Sequence, residues 1–199
     1  MQNKNCFSFE VIKSQFMDET GILKKGKTAF IVIDVQERLM PVVYNNTEVF
    51  ENVNRLIEGS KILSVPLLIT EQYPKGLGKT CVEVKFPEGQ EVIEKVCFSC
   101  LLSDPVNEKL KAQGIEQIVL AGVESHICVL KTALDALSSG LQVHVVADAV
   151  SSRKEYSKQI ALERMRQAGA FIATTEMVLF QLMDAAGTEE FKQISKLIR

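Results

Sequence analysis

An α/β fold, with a parallel sheet between two layers of helices, is what this sequence predicts. Three observations carry it. Apolar runs of strand length recur along the chain, they alternate with stretches of helical spacing, and glycine or proline punctuates the junctions. The first run, Thr28 to Ile33, is apolar and mostly β-branched with no polar alternation, the pattern of a strand buried on both faces.

The elements follow in order. Val49, Phe50, Val53, Leu56, Ile57 and Ile62 recur at helical spacing, so a helix is expected from a cap at Thr47 to Leu63. Val65 to Thr70 is the second strand. Glu71 to Lys85, rich in Pro, Gly and Lys, is a loop whose place after a strand end makes it a wall of a site. Val92 to Lys95 is the third strand. Asp104-Pro105 starts a helix, with Asp as cap and Pro at the first helical position, and Gly114 ends it. Gln117 to Ala121 is the fourth strand, and a helix from Ser125 to Ser139 is closed by Gly140. Val143 to Ala147 is the fifth strand, ending at Asp148, which is given a structural role. Tyr156 to Ala168 is a helix stopped by Gly169, Phe171 to Ala173 a short sixth strand, and the remainder helix around Gly187. The absence of repeats, low-complexity tracts or linkers makes residues 28–199 a single domain. Residues 1–27 form an N-terminal extension whose Phe7, Phe9, Val11, Ile12 and Phe16 are expected to pack on the domain or on a partner subunit.

Composition narrows the function classes. The chain has 199 residues, 46% of them apolar, enough for one large core. A formal net charge of −2 gives no electrostatic footprint for nucleic acid. No apolar run approaches the roughly 18 residues of a membrane helix, and the N-terminus has no apolar stretch like that of a signal peptide. A cytoplasmic protein is expected. The five cysteines, Cys6, Cys81, Cys97, Cys100 and Cys128, are an odd number, which suits a reducing compartment better than a disulfide framework. Cys97 and Cys100 form a C-x-x-C, but no second Cys/His pair accompanies it.

The chemistry is expected where strands end, because loops at the carboxyl ends of parallel strands build the sites of such sheets. Asp34 closes the first strand, Lys95 the third, and Cys128 lies in the first turns of the helix after the fourth. A helix start favours the thiolate, the attacking form of cysteine, so Cys128 is expected to ionise well below the ordinary thiol value of about 8.5. A partly shielded carboxylate suits Asp34 as proton acceptor, and a paired lysine suits Lys95 as the charge that holds both anions.

The stretches IVIDVQERLMP, TEQYPKGLG and LAGVESHICV, which carry or flank these residues, resemble the isochorismatase-like cysteine hydrolase family, and most of all its isochorismatase domain-containing group. The resemblance runs from about Thr28 to Phe180. It implies a three-layer α/β/α, doubly wound, six-stranded parallel sheet in the order 3-2-1-4-5-6, and an Asp34–Lys95–Cys128 triad. It also implies a cis peptide at Val123–Glu124, in a turn whose N–H groups face the oxyanion, and a homo-oligomeric assembly. The reaction implied is thiolate attack on a small-molecule amide, ureido or related substrate. Gln36, Gln72, Tyr73 and Phe98 fall near strand ends and are candidates to line the substrate pocket. Nicotinamidases of the family bind a metal through Asp and His, but Gln72 and Tyr73 stand where that histidine is expected. No metal and no other cofactor is therefore expected. His126 sits two positions before Cys128, so on a helix the two would face apart, which argues against a Cys–His dyad. The alternative to an enzyme is a catalytically idle oligomeric scaffold of the same fold.

Overall fold

A computed structural model describes residues 20–199. Its centre is a six-stranded, all-parallel sheet in the order β3-β2-β1-β4-β5-β6. The strands are β1 (Thr28–Ile33), β2 (Leu67–Gln72), β3 (Val92–Lys95), β4 (Gln117–Val123), β5 (Gln142–Ser151) and β6 (Phe171–Ala173). The helices are α1 (Asn46–Leu63), α3 (Asp104–Ala112) after a single helical turn α2 (Pro74–Leu77), α4 (Leu130–Ser138), α5 (Glu155–Gln167), α6 (Thr175–Gln181) and α7 (Glu189–Leu197).

Side chains of one strand alternate between faces, and here both faces are apolar. Phe30 and Val32 of β1, with Ile69, Val119 and Val146, face a core closed by Val49, Val53, Leu56 and Ile57 of α1, by Val178 and Leu179 of α6, and by Ile194 of α7. Ala29, Ile31 and Ile33, with Leu68, Ile93, Leu120 and Val145, face a second core closed by Val106 and Leu110 of α3, Ala133 and Ala136 of α4, and Met165 of α5. Each large apolar side chain buried this way contributes about 1.5–3 kcal/mol, so two full faces supply the driving force that fixes the layers.

Several boundaries differ from the sequence reading. Thr47 lies inside the first turn of α1, and the residue ahead of the helix is Asn45, whose side-chain amide donates to Glu48. Strand β2 runs through Glu71 and Gln72, two polar residues that are buried because they pin the following loop. Ser103, not Asp104, precedes α3, with Asp104 in its first turn. Strand β5 continues to Ser151, because a register shift against β4 between Leu120 and Gly122 lets the chain resume pairing with Asp148 inside the strand. Apolar patterning cannot show that continuation through polar residues.

The aromatic residues of the N-terminal extension lie outside the described residues. Its last part packs on the domain: Leu23 enters the first core, and the Leu23 and Lys24 N–H groups donate to Gln181 and Gln117.

Candidate active site

Three strand ends converge because of one parallel register. Ile33 lies between Thr70 of β2 and Gly122 of β4, and Asp34 is the next residue out. The Asp34 N–H donates to the Thr70 carbonyl at 3.1 Å, and its φ of 53° turns the chain out of the sheet. On the other side β4 approaches so closely that only glycine fits. A Cβ on Gly122, at φ +105°, would stand 2.1 Å from the Ile33 carbonyl oxygen. Beyond Val123 the peptide bond to Glu124 is cis. A π-helical turn, Ser125–Val129, then leads into α4 and carries Cys128 inward, where it is buried in the second core.

Lys95 ends β3 opposite Gln72. Its Nζ donates to Asp34 Oδ2 at 2.7 Å and to Gln72 Oε1 at 2.8 Å, and the Lys95 and Asp34 side chains are both fully buried. The Thr70 hydroxyl donates to the other carboxylate oxygen, Asp34 Oδ1, at 2.7 Å. Cys128 lies near enough to the same carboxylate for the Asp34 charge to raise its thiol. Asp34 is thus held by an ammonium and a hydroxyl, with the buried Cys128 thiol close by.

The charge state follows from burial. Desolvation works against the Lys95 ammonium, but the charge of Asp34, with smaller contributions from Cys100 and Cys128, outweighs it and raises the lysine above its ordinary value. Burial pushes the Cys128 thiol up, Asp34 pushes it further, and Lys95 pulls it back only in part. The expected low-lying thiolate is therefore corrected: the resting group is a thiol beside a carboxylate. The helix start contributes little, because burial of the sulfur and the adjacent anion outweigh a partial dipole charge. A neutral thiol beside a carboxylate is suited to base-assisted attack, in which the proton leaves as the sulfur–carbon bond forms.

The four expected pocket residues divide. Tyr73, half exposed, borders a cavity of about 460 Å³ with Lys75, Lys95, Cys97 and Leu102. Phe98 borders a second, more apolar cavity of about 560 Å³ with Val96, Cys97, Ile127 and Leu130. Gln36 and Gln72 are not among the residues lining either cavity. Gln36 is fully buried, its Nε2 donating to the Gln72 and Gly78 carbonyls and its Oε1 accepting from the Gln72 N–H, so it ties the Tyr73–Thr80 loop to β2. Gln72 spends its amide on Lys95 and on the Val96 carbonyl. Both are brackets of the site rather than its walls, because buried amides must be satisfied. Glu124 is buried too, and its Oε1 accepts from the N–H and the Nε of Arg153.

His126 shares a hydrogen bond with Ser152 at 2.9 Å instead of facing Cys128. Asp148 accepts from the N–H and hydroxyl of Thr175, a structural role at the start of α6. Arg38 donates to the Gly76 carbonyl, and Lys75 stands beside the first cavity. Thr70 and Cys100 are functional-site neighbours that the sequence reading passed over. Cys100 is wholly buried, its sulfur 4.0 Å from the Thr70 hydroxyl and its N–H donating to Thr132. The sequence reading took Thr70 only as the end of the second strand; its place beside Asp34 depends on the β1–β2 register. Among the described residues no group of three or more His, Cys, Asp or Glu side chains is arranged to hold a metal ion.

Known proteins resemble this chain in sequence and fold. The family model of the isochorismatase domain matches residues 28–177. Isochorismatase domain-containing protein 2 of Danio rerio is 41% identical over 179 residues, covering 89% of this chain and 90% of its own. A solved structure described as MAR1 ribonuclease from Caenorhabditis elegans superposes with a TM-score of 0.83 at 38% identity, covering 88% of this chain and 91% of the other. The YcaC gene product of Escherichia coli, described as an octameric hydrolase of unknown specificity, superposes with a TM-score of 0.74 at 29% identity, covering 80% of each chain.

Proposed function

The chain belongs to the isochorismatase domain family, and from that premise we propose that it is a cysteine hydrolase acting on a small amide, ureido or related substrate through Asp34, Lys95 and Cys128. The observation that carries the reading is the buried Asp34 carboxylate, which accepts from the Lys95 ammonium at 2.7 Å and whose charge reaches the buried Cys128 thiol.

In this mechanism the Asp34 carboxylate takes the Cys128 proton as the sulfur attacks the carbonyl carbon. The carbonyl electron pair moves to oxygen, which faces backbone N–H groups of the turn from Val123 to Cys128. As that pair returns, the carbon–nitrogen bond breaks and the leaving amine takes the proton from Asp34. Asp34 then removes a proton from water, whose oxygen attacks the thioester. The carbon–sulfur bond breaks, and Cys128 recovers its proton from Asp34. Lys95 stays charged throughout, which keeps Asp34 and the developing sulfur anion together. The cavity bordered by Tyr73 reaches Lys95, and the one bordered by Phe98 reaches Ile127, the residue before Cys128; both are of small-molecule size. The net charge of −2 supports a small substrate over RNA, despite the MAR1 ribonuclease description of three solved neighbours.

The test is a panel of amides, carbamoyl compounds, vinyl ethers and RNA offered to the parent and to Cys128→Ala, with intact-protein mass recorded under single turnover. Turnover of a small substrate through an acyl adduct on Cys128, lost in the variant at an unchanged melting temperature, supports the proposal. No turnover and no adduct across the panel gives the protein the role of an idle scaffold of the same fold.

A homo-oligomer is part of the same reading. Val96, Phe98 and Leu102 are exposed apolar side chains beside the cavities, and the Escherichia coli relative is described as octameric. Light scattering at micromolar concentration should give a mass well above the 22.2 kDa monomer; a monomer mass overturns this part. No helix among the described residues is long and apolar enough to cross a membrane.

A further inference from the structure

The strand-end cluster contains a second thiol that the triad leaves unused. Cys100 is fully buried, and its sulfur lies 4.0 Å from Thr70 Oγ1. The hydroxyl of Thr70 lies 2.7 Å from Asp34 Oδ1. A hydroxyl has one proton to give. A carboxylate oxygen can only accept, so the Thr70 proton points at Asp34 and its lone pairs are left for the thiol. With the Thr70 O–H given to Asp34, the 4.0 Å contact is completed when the Cys100 S–H donates to Thr70. The backbone holds this order in place. Thr70 is paired with Ile33 across β1–β2, one residue before Asp34, and the Cys100 N–H is anchored on Thr132, one helical turn after Cys128.

We propose that Cys100 and Thr70 form a hydrogen-bonded relay that orients the Asp34 carboxylate and holds it in its anionic form, making them positioning residues for the hydrolysis. The proposal rests on the triad reading above and deepens it. It gives one thiol of the C-x-x-C a function without metal or redox chemistry. The groups that titrate and face one another in this cluster are Asp34, Lys95, Cys100 and Cys128. Burial raises the Cys100 thiol to about 11, so it stays a donor throughout the neutral range. Lys95 neutralises one carboxylate oxygen and Thr70 serves the other, so each oxygen has its own donor. Each donor in the chain polarises the next, so loss of Cys100 weakens the Thr70 bond even though that bond is itself retained.

The experiment is the pH dependence of Cys128 alkylation by iodoacetamide, followed by peptide mass spectrometry. It compares the parent with Asp34→Asn, Thr70→Val, Thr70→Ser and Cys100→Ala. In the parent the rate falls on the acid side, where the cluster gains the proton that disables its base. Removing a donor from the carboxylate makes that proton easier to gain, so the acid limb moves to higher pH. Thr70→Val should shift it by about one unit and Thr70→Ser should leave it in place. Cys100→Ala should shift it in the same direction by a smaller amount. Should valine not be accepted in the strand, Thr70→Ala removes the same hydroxyl and should give the same shift. A limb abolished by Asp34→Asn but unmoved by loss of the Thr70 hydroxyl overturns the relay and leaves the triad standing. A limb unmoved by Asp34→Asn overturns the base assignment, and the relay with it. An unmoved limb in Cys100→Ala alone removes Cys100 from the relay.

Discussion

Gly122 packs against the backbone of Ile33 with no room for a side chain: a Cβ there would meet the Ile33 nitrogen at 2.6 Å and its carbonyl oxygen at 2.1 Å. Neither contact can be relieved by a rotamer change, because both are to main chain in the centre of the sheet. Gly122→Ala also places alanine at a φ of +105°. The variant should lose about 3 kcal/mol or more of stability, read as a lowered midpoint in urea. A midpoint equal to the parent's would mean that β4 can move away from β1 at no cost.

The ionisation of Cys128 is the second expectation. Burial and the Asp34 charge raise the thiol, and Lys95 opposes them. The alkaline midpoint of its alkylation should lie above the ordinary value of about 8.5. Lys95→Met keeps the stem and removes the opposing charge, so the midpoint should climb by a further unit or so. An unchanged midpoint in this variant would show that the Lys95 charge does not reach the sulfur, and Lys95 would lose its place in the triad.

His144 gives a third, independent of the site. It is buried, stacked on Phe171 with ring centroids 5.0 Å apart, and burial lowers it from 6.5 to about 4. The unfolded chain therefore binds a proton between these values that the folded chain refuses. Stability from this residue is complete above pH 6.5 and declines as pH falls toward 4. The loss should approach about 3 kcal/mol at the acid end. His144→Phe should remove that part of the slope in urea titrations from pH 7 to 4. A slope equal to the parent's would assign the acid sensitivity to the carboxylates alone.

The layered sheet was legible because strands buried on both faces leave unbroken apolar runs, as in Phe30-Ile31-Val32-Ile33, and because β3 and β6 lie where their patterns end. The strand order came from the family resemblance, since periodicity alone does not say which strands are neighbours. Asp34, Lys95 and Cys128 were legible as strand-end and helix-start residues. Thr70 was not, because a β-branched residue closing an apolar strand reads as strand former, and its hydroxyl matters only once β2 is registered against β1. Gln36 and Gln72 were expected as pocket residues, and the structure shows them bonded within the strand-end framework. Their polarity suited a pocket, but their amides are consumed within the fold. The thiolate expectation failed because sequence shows the helix start and not the depth at which the sulfur lies.

The ion pair between Lys95 and Asp34 reaches across β2, from the outermost strand to the interior of the sheet. β3 has four residues and a neighbour on one side only, the circumstances in which a strand peels readily from an edge. Peeling here would strand a carboxylate in a dry interior, at a cost of several kcal/mol. The charges assigned to the proposed chemistry therefore also act as a clasp, and the free energy of opening at the edge is tied to the charge state of the centre. Those amide hydrogens of Val92–Lys95 that pair with β2 should exchange almost as slowly as those of β4 in the parent. In Lys95→Met the edge should exchange much faster while β4 keeps its protection. Equal exchange in both proteins would mean that β3 is held by its own backbone pairing with β2.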